Sequence, residues 1–178
     1  VECLALAVAP TTPVVTDQCG NNITPVLESM TDNPDPLDCE GARTYIYSYT
    51  DCAGNVSYWQ YTYTIDLSTA PIVSADEFST VECLAAAVPP TTPVVTDQCG
   101  NNITPVLESM TDNPDPLDCE GTRTYVYSYT DCAGNVSYWT YTYTIDLSTA
   151  PVVSADEFST VECLALAVAP TTPVVTDQ

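Results

Sequence analysis

The chain has 178 residues, 24 of them Asp or Glu against two Arg, with no Lys and no His. Without imidazoles or side-chain amines there is no His-based triad, no Schiff-base lysine and no His-ligated metal. A net charge of -22 excludes nucleic acid and anionic membrane surfaces, which are bound chiefly through Lys and Arg. No apolar run approaches the roughly 20 residues that span a bilayer, and no charged-then-apolar signal opens the chain. The sequence therefore predicts a soluble segment of a longer protein, with no membrane insertion by this segment.

Residues 1–80 and 81–160 align without a gap and differ only at Leu6/Ala86, Ala9/Pro89, Ala42/Thr122, Ile46/Val126, Gln60/Thr140 and Ile72/Val152. Residues 161–178 repeat 1–18 without change, so the expectation is a stretch of a tandem array with an 80-residue period. Along one period, Thr11 to Asp17 and Ile23 to Met30 read as strands flanking a turn at Gln18-Cys19-Gly20-Asn21. Arg43 to Asp51 and Val56 to Asp66 alternate with period two and are rich in Tyr and Thr, predicting a hairpin closed by Cys52-Ala53-Gly54-Asn55. Tyr45, Tyr47 and Tyr49 share one face of its first strand, and Trp59, Tyr61, Tyr63 and Ile65 one face of its second. Phe78 to Leu84 reads as a further strand leading into the next repeat. Fifteen Pro and no 3.6-residue periodicity argue against helices. The predicted fold class is all-β, a tandem array of immunoglobulin-like Greek-key β-sandwich repeats.

Each period carries four Cys, and Cys163 opens a third set. An even count with no His points to two disulfides per repeat and an oxidising, extracellular setting; the wide spacing disfavours a four-thiolate zinc site. Cys39 and Cys52 bracket a strand of roughly 26 Å, too long for a disulfide. If all four Cys pair within one domain, Cys3 with Cys19 falls as well. In a Greek-key sandwich Cys19 and Cys52 leave parallel strands at one end and Cys39 enters at the other. The expected pairs are Cys19 with Cys52 and Cys3 with Cys39, repeated as Cys99 with Cys132 and Cys83 with Cys119.

Carboxylates supply the remaining candidates. The densest run is Asp32, Asp35, Asp38 and Glu40. The best-placed oxygen ligands are Asp17 and Asn21 with Asp51 and Asn55, recurring as Asp97, Asn101, Asp131 and Asn135. These suit calcium, the one candidate cofactor, against the alternative that Asp and Asn merely form turns. The linker carboxylates Asp66, Asp76 and Glu77 are weaker candidates. A two-carboxylate glycosidase is disfavoured, because the acids lie in Pro-rich loops with nothing to raise a pKa. The tyrosines fit a packed core better than a sugar platform. Asn22-Ile23-Thr24 and Asn55-Val56-Ser57 match the glycosylation sequon but fall in turns.

The frame TAPIVSADEFSTVECLA, PVVTDQCGN, CEGTRTYVYSYTDCAGN and WTYTYTID resembles the hyalin-repeat-like (HYR-like) modules of giant Bacteroidota surface adhesins, including SprB-type gliding-motility adhesins. The resemblance implies an immunoglobulin-like repeat in an extracellular cell-surface filament, with no catalytic residue. In its phase, residues 1–66 form a repeat lacking its leading strand, 67–146 a complete repeat and 147–178 the start of a third. The leading functional expectation is a non-enzymatic structural shaft; the alternative is a binding module presenting a glycan, surface-polymer or calcium site in every repeat. Expected partners are neighbouring repeats of the same chain and, through the whole protein, external surfaces or polysaccharide. Lateral self-association through sheet edges is a further candidate.

Overall fold

The structure is a computed structural model describing residues 1–175, so the last three residues of the expected third repeat lie outside it. It is all-β: the described residues form eleven strands and three short 3-10 turns, with no α-helix. Chain contacts divide it into two compact units. The first comprises Val1–Ala75, Thr91–Glu108 and Tyr127–Trp139; the second comprises Asp76–Pro90, Ser109–Val126 and the residues from Thr140 onward.

In the first repeat, β1 (Val15–Thr16) pairs antiparallel with β2 (Asn22–Ile23), and β3 (Val26–Asn33), β4 (Gly41–Thr50) and β5 (Val56–Ile65) form an antiparallel sheet in that order. The hairpin β4–β5 runs in unbroken register from Gly41 opposite Ile65 to Thr50 opposite Val56. Alternation explains it: Tyr45, Tyr47 and Tyr49 are buried and pack with Val15, Ile23, Trp59 and Tyr63. Two of the three hydroxyls reach backbone acceptors, Tyr45 donating to Ala7 O at 2.8 Å and Tyr49 to Pro13 O at 3.0 Å. Such bonds let a buried phenol keep a partner. A smaller cluster of Ala7, Leu37 and Ile65, with Leu4 and Tyr63 against it, closes the other end of the hairpin. On β5 the expected common face holds only in part: Ile65 is buried and Trp59 and Tyr63 are half-buried, but Tyr61 is exposed.

The second repeat forms β7 (Val95–Thr96) with β8 (Asn102–Ile103), and a four-stranded sheet of β6 (Glu77–Val81), β11 (Val136–Ile145), β10 (Gly121–Thr130) and β9 (Val106–Asn113) in that order. Strand β6 lies parallel to β11, from Glu77 opposite Tyr141 to Val81 opposite Ile145. The corresponding place beside β5 is taken at its end by Val1, whose amino group donates to Thr64 O and whose carbonyl accepts from Asp66 N, each at 2.9 Å.

Proline accounts for most departures from the predicted elements. Thr11 to Asp17 is strand only at Val15–Thr16, since Pro13 has no N–H to give a ladder, and Ile23 to Met30 is divided around Pro25. The Phe78 to Leu84 element is strand over Glu77–Val81 and then tightens into a 3-10 turn at Leu84–Ala86. At the start of β4, Gly41 approaches the preceding loop so closely that an added Cβ would lie 2.7 Å from Leu37 Cδ1, at a φ of +149°.

Each repeat's single Arg is used here. Asp32 and Arg43 are cross-strand partners on β3 and β4, and the guanidinium grips both carboxylate oxygens at 2.8 Å. Arg123 holds Asp112 in the same way, at 2.7 and 2.8 Å.

Candidate functional site

The cysteines gather where the sequence points, with different partners. Cys3 is bonded to Cys99 and Cys39 to Cys132, with Cα separations of 5.4 and 5.9 Å. This corrects all four expected pairs: Cys19 is not bonded to Cys52, nor Cys3 to Cys39, Cys99 to Cys132 or Cys83 to Cys119. Each bond joins a residue of the first 80 to one of the second. Near-identity of the repeats is the physical reason the sequence misleads: TDQCGN stands at both Cys19 and Cys99, and Cys3 is bonded to the second. Cys19, Cys52 and Cys119 are exposed and outside any disulfide. The exclusion of Cys39 with Cys52 holds, since β4 intervenes.

The second repeat brings two turns to the bonded cluster. In one, Asp97 Oδ1 accepts from the N–H groups of Cys99 at 2.8 Å and Asn101 at 2.9 Å, while Oδ2 accepts from Asn101 Nδ2 at 2.8 Å. In the other, Asp131 does the same with Ala133 N, Asn135 N and Asn135 Nδ2. These are Asx turns, in which a short carboxylate satisfies the donors of its own reversal. The first-repeat copies, Asp17 with Asn21 and Asp51 with Asn55, have the same bonds.

Burial separates the two sets. Asp17 and Asp51 are half-exposed, whereas Asp97 and Asp131 retain 7% and 6% of their exposure. The Asn21 amide holds the Asp17 carboxyl below the ordinary Asp range, its backbone N–H adding to this, with the Asp51 charge as a small opposing influence that places the two turns near each other. The Asn55 amide does the same for Asp51. At Asp97 burial pushes upward most strongly, but the Asn101 side chain and the turn N–H groups together bring the group below its ordinary value.

Asp38, Asp97, Asn101, Thr130 and Asp131 line a shallow cleft of about 400 Å³ in the first unit. The four bonded cysteines, with Glu2 and Leu67, line an adjoining one of about 200 Å³. The sequence-derived oxygen set is thus partly assembled: Asp97, Asn101 and Asp131 share a cleft, while Asn135 turns its amide to Leu67 O at 2.7 Å and to Asp131. Every turn carboxylate oxygen already accepts a hydrogen bond. Among the described residues no group of three or more Cys, Asp or Glu is arranged to hold a metal ion.

Several contributors were not legible in advance. The segment from Leu67 to Ala75 covers the start of β11, where Ser137 Oγ donates to Pro71 O at 2.5 Å and Trp139 Nε1 to Ala75 O at 3.2 Å. Trp139 is fully buried, although Trp59, its counterpart one period earlier, is only half-buried. Among the linker carboxylates, Asp76 accepts from Thr140 N at 2.9 Å. Glu2 is gripped by Ser68 and Thr69, and Glu82 by Ser148 and Thr149. An acidic residue two positions into the period facing a Ser-Thr pair 66 and 67 residues later was the available signal.

No helix among the described residues is long and apolar enough to cross a membrane. The chain matches no curated protein. The family model described as an HYR-like domain with four cysteines matches residues 1–65 and again 71–145.

Proposed function

We propose that this chain, which belongs to the family of HYR-like domains with four cysteines, is a covalently stapled stretch of the shaft of an extracellular adhesin. HYR-like domains are repeat modules of extracellular and cell-surface proteins, and the disulfides fit an oxidising exterior. The observation that carries the reading is that both disulfides join successive repeats. A bond inside a domain stabilises that domain; a bond from one repeat to the next resists extension of the array. The finer reading places the shaft in an SprB-type gliding adhesin of the cell surface, contacting external surfaces or polysaccharide through the rest of the protein. No residue is assigned a catalytic role.

Single-molecule stretching tests this. With Cys3–Cys99 closed, 96 residues of chain are withheld from extension. At about 3.5 Å per residue, reduction should release roughly 340 Å of additional contour length. A reduced chain that extends no further than the oxidised one refutes the staple. The rival binding-module reading is tested on a glycan array: specific binding by the oxidised chain that survives high salt would displace the shaft reading.

A further inference from the structure

Translation by one period carries the bonded Cys99 and Cys132 onto Cys19 and Cys52, and the bonded Cys3 and Cys39 onto Cys83 and Cys119. Each repeat thus has a receiving pair in its two Asx turns and a giving pair near its start and in its β3–β4 loop. Both turns that carry the receiving pair of the first repeat are already formed. Asp17 Oδ1 accepts from Cys19 N and Asn21 N at 2.8 Å each, reproducing Asp97 with Cys99 and Asn101 at 2.8 and 2.9 Å. Asp51 reproduces Asp131 in the same way, with Ala53 N and Asn55 N at 2.9 Å. Both sulfurs of that pair are exposed, and so is Cys119 in the giving set.

We propose that the Cys19 and Cys52 face is a covalent receiving site for another copy of the 80-residue repeat, bonded through that copy's counterparts of Cys3 and Cys39. The partner's identity follows from the chemistry of the bonded junction, because the residues bonded there recur without substitution in the exposed turns. For each bond two thiols lose two protons and two electrons to a small-molecule disulfide such as oxidised glutathione, which leaves as two thiols. The inference uses the junction alone and is independent of which surface the array serves.

Two sources of the incoming repeat, a second molecule or a preceding repeat in the same chain, share this chemistry, and two arms separate them. Their common readout is a cross-link between Cys119 and Cys52, identifiable in a non-reduced digest because Thr122 marks the first peptide and Gln60 the second. In one arm, light and heavy-isotope samples of the whole chain are mixed in a glutathione redox buffer; light–heavy hybrids of that cross-link report joining between molecules. In the other, residues 81–160 precede the whole chain in one polypeptide, and the same cross-link reports joining within it.

The cross-link in either arm, lost on Cys119→Ser while Cys39–Cys132 persists, is the expected result. Recovery of Cys52 as a thiol or bonded to Cys19 in both arms overturns the proposal. So does failure to recover Cys3–Cys99 and Cys39–Cys132, since they are its template.

Discussion

Removing one staple should have a cost calculable from the chain path, and an outcome that separates this pairing from pairing within a domain. Cys3–Cys99 closes a loop of 96 residues. In the chain-entropy model such a closure stabilises by about 4.7 kcal/mol at 25 °C. With that bond present, Cys39 and Cys132 are already connected by a shorter route back to Cys3, across the bridge and on from Cys99, roughly 70 residues in all. The second closure is then worth about 4.4 kcal/mol. Cys3→Ser with Cys99→Ser and Cys39→Ser with Cys132→Ser should therefore destabilise similarly, each by about 4 kcal/mol in denaturant titration of the oxidised chain. The single variant Cys3→Ser is the sharper assay. It should release Cys99 to maleimide labelling and leave Cys39 protected; a newly labelled Cys39 would refute the inter-repeat pairing outright.

Gly121→Ala should destabilise by several kcal/mol. Its φ is +152° and the new Cβ would lie 2.6 Å from Leu117 Cδ1, against backbone as well. Gly134→Ala, at a φ of +89° but with nothing within 4 Å, should cost only about 1 kcal/mol; equal losses in thermal unfolding would contradict that contrast. Acrylamide should quench Trp59 strongly and Trp139 hardly at all, read from Trp139→Phe and Trp59→Phe; matching quenching would mean that Leu67 to Ala75 does not cover β11. Acid should weaken the fold: Asp17, Asp32, Asp51, Asp97 and Asp112 all titrate below their ordinary range, held chiefly by the turn Asn residues or by Arg43 and Arg123. Their contribution is complete above the unfolded Asp pKa of about 3.9 and is lost as pH falls through the lower folded values. A melting temperature that climbs steadily on acidification would show that relief of the -22 charge dominates instead. Chelation with EDTA should leave the melting temperature unchanged, since the turn oxygens already accept hydrogen bonds; a fall of several degrees restored by calcium would contradict this.

What the sequence disclosed divides along a physical line. The β4–β5 hairpin was readable because alternation over ten residues admits one register with the tyrosines inward, and because TDCAGN encodes its own reversal. The reach of the shorter strands was not: the Thr11 to Asp17 and Ile23 to Met30 predictions met Pro13 and Pro25, whose missing N–H decides where a ladder stops, and the Phe78 to Leu84 strand gives way to a 3-10 turn. The Asp and Asn residues were correctly located at turns, and their bonds to one another follow from spacing alone. Cysteine partners were illegible because the repeat identity that reveals the array also erases the distinction between Cys19 and Cys99 as targets for Cys3. Placing Cys19 and Cys52 together at one end was nonetheless the geometric step from which a bond to another repeat could have been drawn. Trp59 and Trp139 teach the same lesson: neighbours in sequence that differ within five residues either side only at Gln60/Thr140, different cover in space.

Charge constrains how such a junction can be built. Asp97 and Asp131 are buried beside the staples in a chain whose two Arg are both committed elsewhere, to Asp32 and Asp112. A buried carboxylate without a cation is ordinarily costly. Here each receives two backbone N–H bonds and one amide bond from within its own turn, so compensation comes with the local sequence and needs no partner from the neighbouring repeat. The turns supply no ion pair across the junction, whose covalent links are the two disulfides. One disulfide would act as a swivel; two, with Cα separations of 5.4 and 5.9 Å at different anchor points, fix rotation as well as distance. Two attachment points therefore restrain strongly anionic repeats against each other despite their like charge.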